Sequence, residues 1–312
     1  MADITRIDYM GWSQVQRIAT RHLEVVVVHE VGPRIVSVSL PGRHNMFGQL
    51  SNEMGQTGGG DFRLYGGQRL WSAPEEDSAF TYFPDNVPAN VSQPDVGTVA
   101  FTAPVEPDNG VQKEMVLTPS EDQASIQVLH RITNRGPKPI RLSPWAVSVM
   151  NLHGTAIVPL PPFGSHDDFL APVSNLVLWA YTDLTDPRWT VGGKYVLLRQ
   201  DAGAGTPQKV GLRVSQGWSA YVLDEVLFVK TFADQAEAEY PDLNSNVEIY
   251  TDARFLEVET LGPLASLAPG EAATQTETWY LVPGIPTPAS DDDVERDVMP
   301  VVNRVLETGR IA

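Results

Sequence analysis

The chain contains no cysteine, which excludes disulfides, thiolate metal sites and a cysteine nucleophile. Positive charge is scarce. The 22 Lys and Arg stand against 39 Asp and Glu, for a formal net charge of −17. That balance opposes nonspecific attraction to nucleic acid and to anionic membranes, and it favours a neutral or cationic small-molecule partner. No segment approaches the ~20 uninterrupted apolar residues that span a bilayer. The opening Met1-Ala2-Asp3-Ile4-Thr5-Arg6 lacks the basic cluster and apolar run of a signal peptide, so a cytoplasmic protein is expected. HExxH, GxSxG and GxxxxGK[ST] are all absent, and neither His22/His29 nor His166-Asp167-Asp168 has a metal-ligand spacing. Hydrolase triads and nucleoside triphosphatases are therefore disfavoured, and neither metal nor cofactor is called for.

What is present is an all-β pattern. At 312 residues, 42% hydrophobic and 20% charged, the chain can bury a large core, and one β-sandwich domain is expected. Short β-rich runs bounded by Gly, Pro, Asn and Asp recur at 23–28, 34–40, 124–133, 140–149, 176–180, 195–199, 225–231, 247–251, 255–260 and 276–282. In the run 124–133, Ile126, Val128, His130 and Ile132 share one face, while Gln127, Leu129, Arg131 and Thr133 share a partly wet one. The 25 prolines and 25 glycines are dispersed and form no linker. The stretch 51–107 reads as loop-rich, the place to look for a site. Near the end, Ser290 and Asp291-Asp292-Asp293 precede Val294, Val298, Met299, Val302, Val305 and Leu306, which predicts one packing helix over 290–308. The three aspartates read as a helix cap in preference to a calcium site.

Four segments carry candidate chemistry. Tyr65-Gly66-Gly67-Gln68-Arg69-Leu70-Trp71-Ser72-Ala73-Pro74-Glu75 puts a guanidinium, an indole and a carboxylate in one loop-like stretch. Sugars are recognised by that mixture, charged groups bonding vicinal hydroxyls and an aromatic face stacking on the C–H side of the ring. A core Trp beside an Arg–Glu pair is the alternative. Arg34 opens the second run as a ligand contact or, more simply, as a structural ion pair. Trp145 and His153 lie in Ser143–Gly154, where His153 is either a proton donor or structural. Glu257 and Glu259 alternate with Leu256, Val258 and Thr260, so both carboxylates face one way, at a site or merely at a solvent edge.

The ordering of these elements resembles the galactose-mutarotase superfamily, also called aldose 1-epimerase-like. The resemblance is carried by Leu23–Val28 with Gly32–Ser37, by Gly66-Gly67-Gln68-Arg69-Leu70-Trp71, by Ile132–Ile140 leading to Asn151-Leu152, and by Glu257-Val258-Glu259-Thr260 before Leu267-Ala268-Pro269-Gly270-Glu271. It implies a large antiparallel supersandwich that binds a sugar in a concave groove. In those epimerases a glutamate takes the anomeric hydroxyl proton and a histidine protonates the ring oxygen. Glu259 matches that glutamate, with Glu257 as the one-step alternative, and Arg69 matches a substrate-binding arginine. Where the family has its histidine, this chain has Val147, with His153 or His130 as possible replacements. The expected function is thus a carbohydrate-active protein with Glu259 and His153 as catalytic pair and Arg69, Trp71, Glu75, Trp145 and Glu257 as substrate contacts. The alternatives are a noncatalytic carbohydrate-binding protein, or a lyase or hydrolase acting on a modified sugar.

Overall fold

The computed structural model describes residues 2–75 and 81–311. Among them, antiparallel strands form an 11-stranded and a 10-stranded sheet. In the first sheet the spatial order is Asp3–Tyr9, Trp12–Ala19, Glu24–Val28, Arg34–Ser39, Gly67–Ala73, Ile140–Met150, Leu256–Leu261, Val247–Thr251, Gln208–Leu212 and Leu176–Leu178, with Ala265–Leu267 beside the start of the long Ile140–Met150 strand. The second runs Trp189–Val191, Tyr195–Arg199, Thr155–Pro159, Trp218–Leu223, Val226–Phe232, Ala272–Pro283, Ser125–Asn134, Val111–Pro119, Val99–Thr102 and Asn90–Ser92.

The strands follow from period-two patterning. Val25, Val27, Ile35, Val38, Val210, Ile249, Leu256 and Val258 of the first sheet pack against Val128, Phe228 and Trp279 of the second. Phe47, Phe228 and Trp279 meet there with ring centroids 5.5–5.8 Å apart, a favourable edge-on and tilted arrangement. Since side chains alternate along a strand, everything at the intervening positions of the first sheet is turned away from the second sheet. Those positions build the candidate site.

The glycine pair at the start of Gly67–Ala73 does not make a flexible loop, as the sequence suggested. The segment is a fully buried strand in the middle of the first sheet. Gly66 and Gly67 have φ of 103° and 70°, and a Cβ on either would lie 2.2 Å from a backbone oxygen, of Gly48 and Ile35 respectively. They serve close backbone approach, a role only glycine can fill.

The C-terminal helix forms over 291–308, with Val294, Val298, Val302 and Val305 packed on the outer face of the second sheet. Leu306, expected in the stripe, is exposed. Ser290 caps the helix by accepting from the Asp293 amide, and Asp291 accepts from the amides of Gly193 and Lys194. The acidic run thus acts through backbone donors and the helix dipole. Residues 294–298 form a π turn in which the Met299 amide reaches Val294, and Pro300, which has no amide hydrogen to give, follows directly.

Candidate functional site

Four adjacent strands of the first sheet converge on one row. Arg69 pairs across with Val147, Val147 with Glu259, and Glu259 with Glu248. In the neighbouring rows Trp71 sits opposite Trp145, and Val149 is followed by Glu257, Tyr250 and Lys209. Every one of these side chains lies on the face turned away from the second sheet.

They frame a cleft of about 250 Å³. A cavity of ~150 Å³ accommodates benzene, so this one has room for a six-membered ring with its substituents. Its lining includes Trp71, Glu75, Tyr82, Trp145, Lys209 and Glu257, with Tyr181, Tyr250, Arg254 and Phe255 completing the rim. Trp71 stacks edge-on against both Tyr82 and Trp145, each at 5.2 Å. The Tyr82 hydroxyl donates to Glu75.

Of the residues expected from sequence, Trp71, Glu75, Trp145 and Glu257 therefore line one cleft. Arg69 and Glu259 lie immediately behind its wall, almost without exposure. The Arg69 guanidinium lies 4.4 Å from the Trp71 ring centroid and 4.8 Å from that of Phe62, and bonds Asp85 at 3.4 Å. Burial and the adjacent Arg34 push it down to about 9, so it is still charged at neutral pH. Arg34 itself takes the structural role, bonding Asp85 and the Leu64 carbonyl. His153 is an exposed turn residue at φ 73° and is not among the residues of the cleft. His130 is buried between the sheets, where burial pushes it down to about 4. Val147 occupies the central row beside Glu259.

The two glutamates part company at this site. Glu259 Oε2 accepts from the Trp145 indole at 2.8 Å and from Lys209 Nζ at 3.1 Å, a fixed and solvent-free arrangement. Glu257 opens onto the cleft, and burial together with the Glu259 charge raises it to about 8. Lys209 holds an ion pair to Glu248 at 2.7 Å and lies 4.9 and 4.8 Å from the ring centroids of Trp145 and Trp179. Burial works against its charge, but Glu248 and Glu259 outweigh that and hold it protonated well above the usual lysine range. Burial also drives Glu248 far up, with Lys209 opposing and Glu259 adding to the rise. Lys209 and Glu248 were not singled out from sequence. A signal existed: Val247-Glu248-Ile249-Tyr250-Thr251 alternates as 255–260 does, and the short turn between the two runs places Glu248 beside Glu259.

No family model matches the sequence, and no curated protein matches it. Solved structures do. A galactose mutarotase-like protein from Lactobacillus casei aligns with 86% of this chain and 100% of its own, at TM-score 0.57 and 11% identity. A galactose mutarotase related enzyme from Lactobacillus acidophilus aligns over 88% and 100%, at TM-score 0.56 and 10% identity. The chain has the galactose mutarotase-like fold, in agreement with the resemblance drawn from its sequence.

Proposed function

We propose that the cleft binds a monosaccharide-sized sugar and that the protein is an aldose 1-epimerase-like isomerase in which Glu257, rather than Glu259, transfers the proton. The observation that carries this reading is a buried carboxyl, that of Glu257, raised to about 8 and bordering an aromatic-walled cleft that the exposed Glu75 also lines. Trp71 and Trp145 offer apolar faces to a sugar ring, while Glu75, Tyr82 and Lys209 offer donors and acceptors to its hydroxyls.

In this reading Glu257 holds a proton at neutral pH and gives it to the ring oxygen, the step a histidine performs in the family. Glu75, held by Tyr82, accepts the anomeric hydroxyl proton. The bond between the anomeric carbon and the ring oxygen breaks to give the open-chain aldehyde. Rotation about the adjacent carbon–carbon bond and reclosure return both protons. Glu259 then acts as the fixed charge that keeps the Glu257 proton in place.

A noncatalytic sugar-binding protein is the second reading, favoured by Val147 standing where the family has histidine. Proton NMR of freshly dissolved α-glucose and α-galactose separates the two, with saturation-transfer detection of binding. Accelerated anomer interconversion that Glu257→Gln reduces at least ~100-fold supports the isomerase, a typical general acid–base contribution. Saturation transfer without acceleration supports the binder. Neither signal sends the search to modified sugars.

A further inference from the structure

A second cavity, of about 230 Å³, is lined by Leu70 of the first sheet and Lys113 and Met115 of the second, on the other side of the Gly67–Ala73 strand from the candidate site. Pro33, Pro84 and Pro104 line it together with Leu70, Phe83 and Met115. Its polar residues are Asp85, Glu106 and Lys113.

Lys113 occupies a core position. In Val111–Pro119, residues Val111, Lys113, Met115 and Leu117 form the buried row, so an ammonium stands where an apolar side chain would pack. A buried ion pair gives little net stability over apolar residues of the same volume, so stability alone does not account for this lysine. Its Nζ meets Glu106 Oε1 at 2.7 Å, and Asn109 donates to the other Glu106 oxygen. Among the described residues Glu106 is its one acceptor, which leaves two of the three ammonium hydrogens available.

Asp85 is complementary. Both of its arginine partners use Oδ1, and no described residue donates to Oδ2. Burial opposes its ionisation, but Arg34 and Arg69 outweigh that, with Lys113 adding to them, and hold its carboxyl below the usual range. A free acceptor and free donors thus face an otherwise apolar cavity. A hydroxyl, which both donates and accepts, fits that pair; a carboxylate would meet Asp85 and an ammonium would meet Lys113, each with like charge.

We propose that this cavity is a second binding site, for a small alcohol or phenol. The ligand hydroxyl donates to Asp85 Oδ2 and accepts from Lys113 Nζ, and an apolar body slightly larger than benzene fills the proline-lined space. This site does not depend on what the cleft on the other side of the strand binds.

The test uses the full chain and two probes of nearly equal shape, benzyl alcohol titrated to about 20 mM and toluene titrated to its aqueous solubility limit, with ligand-observed saturation-transfer NMR and the two compared at equal concentrations. Benzyl alcohol is expected to bind in the millimolar range and toluene at least ~10-fold more weakly. Val105→Trp alters a half-exposed residue at the cavity mouth and is expected to abolish benzyl alcohol binding while the circular dichroism spectrum is kept. Val87→Trp, on another exposed part of the rim, serves if that variant misfolds. Lys113→Met is expected to bring the two affinities together. Equal binding of the two probes to the wild type, binding that survives the rim variants, or no binding of either would each overturn the proposal.

Discussion

Glu257 illustrates how position selects protonation state. Glu257 and Glu259 are two residues apart on one strand, so their Cα atoms are about 7 Å apart on the same face. Together with Glu248 and Lys209 they make a buried group of three carboxyls and one ammonium. Three negative charges beside one positive charge in a dry site cost far more than two, so Glu257, the carboxyl without an ion pair to Lys209, keeps its proton. Its raised position expresses this. The consequence for stability has a definite sign. Unfolded, Glu257 releases its proton near the ordinary value of 4.5; folded, it keeps it to about 8. Between those values the folded chain binds the extra proton, so this residue lowers stability as pH rises through the window. Glu257→Gln removes that loss. Urea unfolding at pH 5 and pH 8 should show the variant gaining on the wild type by about 3 kcal/mol, and parallel pH dependences would refute the assignment. Trp145→Phe isolates the partner of the other glutamate. It deletes the indole N–H that bonds Glu259 while keeping an aromatic ring, and should cost about 1–3 kcal/mol in the same assay.

The site strands are tied from behind by a second buried polar network. Lys230 Nζ, from the second sheet, donates to the Val258 carbonyl at 3.1 Å, between the two glutamates, and pairs with Glu277 at 3.1 Å. Glu277 also accepts from Thr260 and from the Trp279 indole. On the neighbouring strands Ser148 bonds Gln68, and Gln68 meets His130 at 3.1 Å. Each of the three central site strands therefore carries a polar inward side chain or carbonyl engaged across or along the core. Lys230→Met would leave Glu277 buried without its ammonium and should cost about 3–5 kcal/mol. Adding Glu277→Gln should recover most of it, a coupling that a double-mutant cycle measures; additive losses would mean the pair does not act as a unit. Little of this was legible in the sequence. His130 shared a face with Ile126, Val128 and Ile132, and that face is indeed buried, but alternation gives no partner. Lys230 directly follows the apolar run Val226–Val229 and reads as its end until the opposing strand is known. The strands themselves were clear where β-branched residues alternate, as at Val247–Thr251, and where a short apolar run is bounded by turn residues, as at Tyr195–Arg199, both found with the expected bounds. Gly67–Ala73 was misread because glycine signals either freedom or crowding, and only the neighbouring backbone decides which.

At the scale of the whole molecule, the site is a product of long-range pairing. Residues 69, 147, 209, 248 and 259 meet in adjacent rows only because strands distant in sequence lie side by side. Sequence reading found the residue types of the cleft wall, Trp71, Glu75, Trp145 and Glu257, but it could not separate the carboxylate that opens onto the cleft from the one sealed behind it. Alternation places Glu257 and Glu259 identically; the difference comes from Lys209, more than forty residues away and supplied by another strand. The charge balance also acts at this scale. A net charge of −17 repels itself in the compact state more than in the expanded chain, and salt screens that repulsion within a Debye length of about 10 Å at 0.1 M. The buried pairs at Lys209, Lys230 and Lys113 are shielded from the same ions by burial. Raising sodium chloride from about 0.01 to 0.2 M should therefore raise the melting temperature by about 1–3 °C at pH 8, the shift expected for roughly 1 kcal/mol in a chain of this size. The rise should shrink as pH approaches the isoelectric point near 4.6, where the repulsion vanishes. A melting temperature that falls with salt at pH 8 would instead make exposed pairs such as Arg141 with Glu239 the dominant electrostatic contribution to stability.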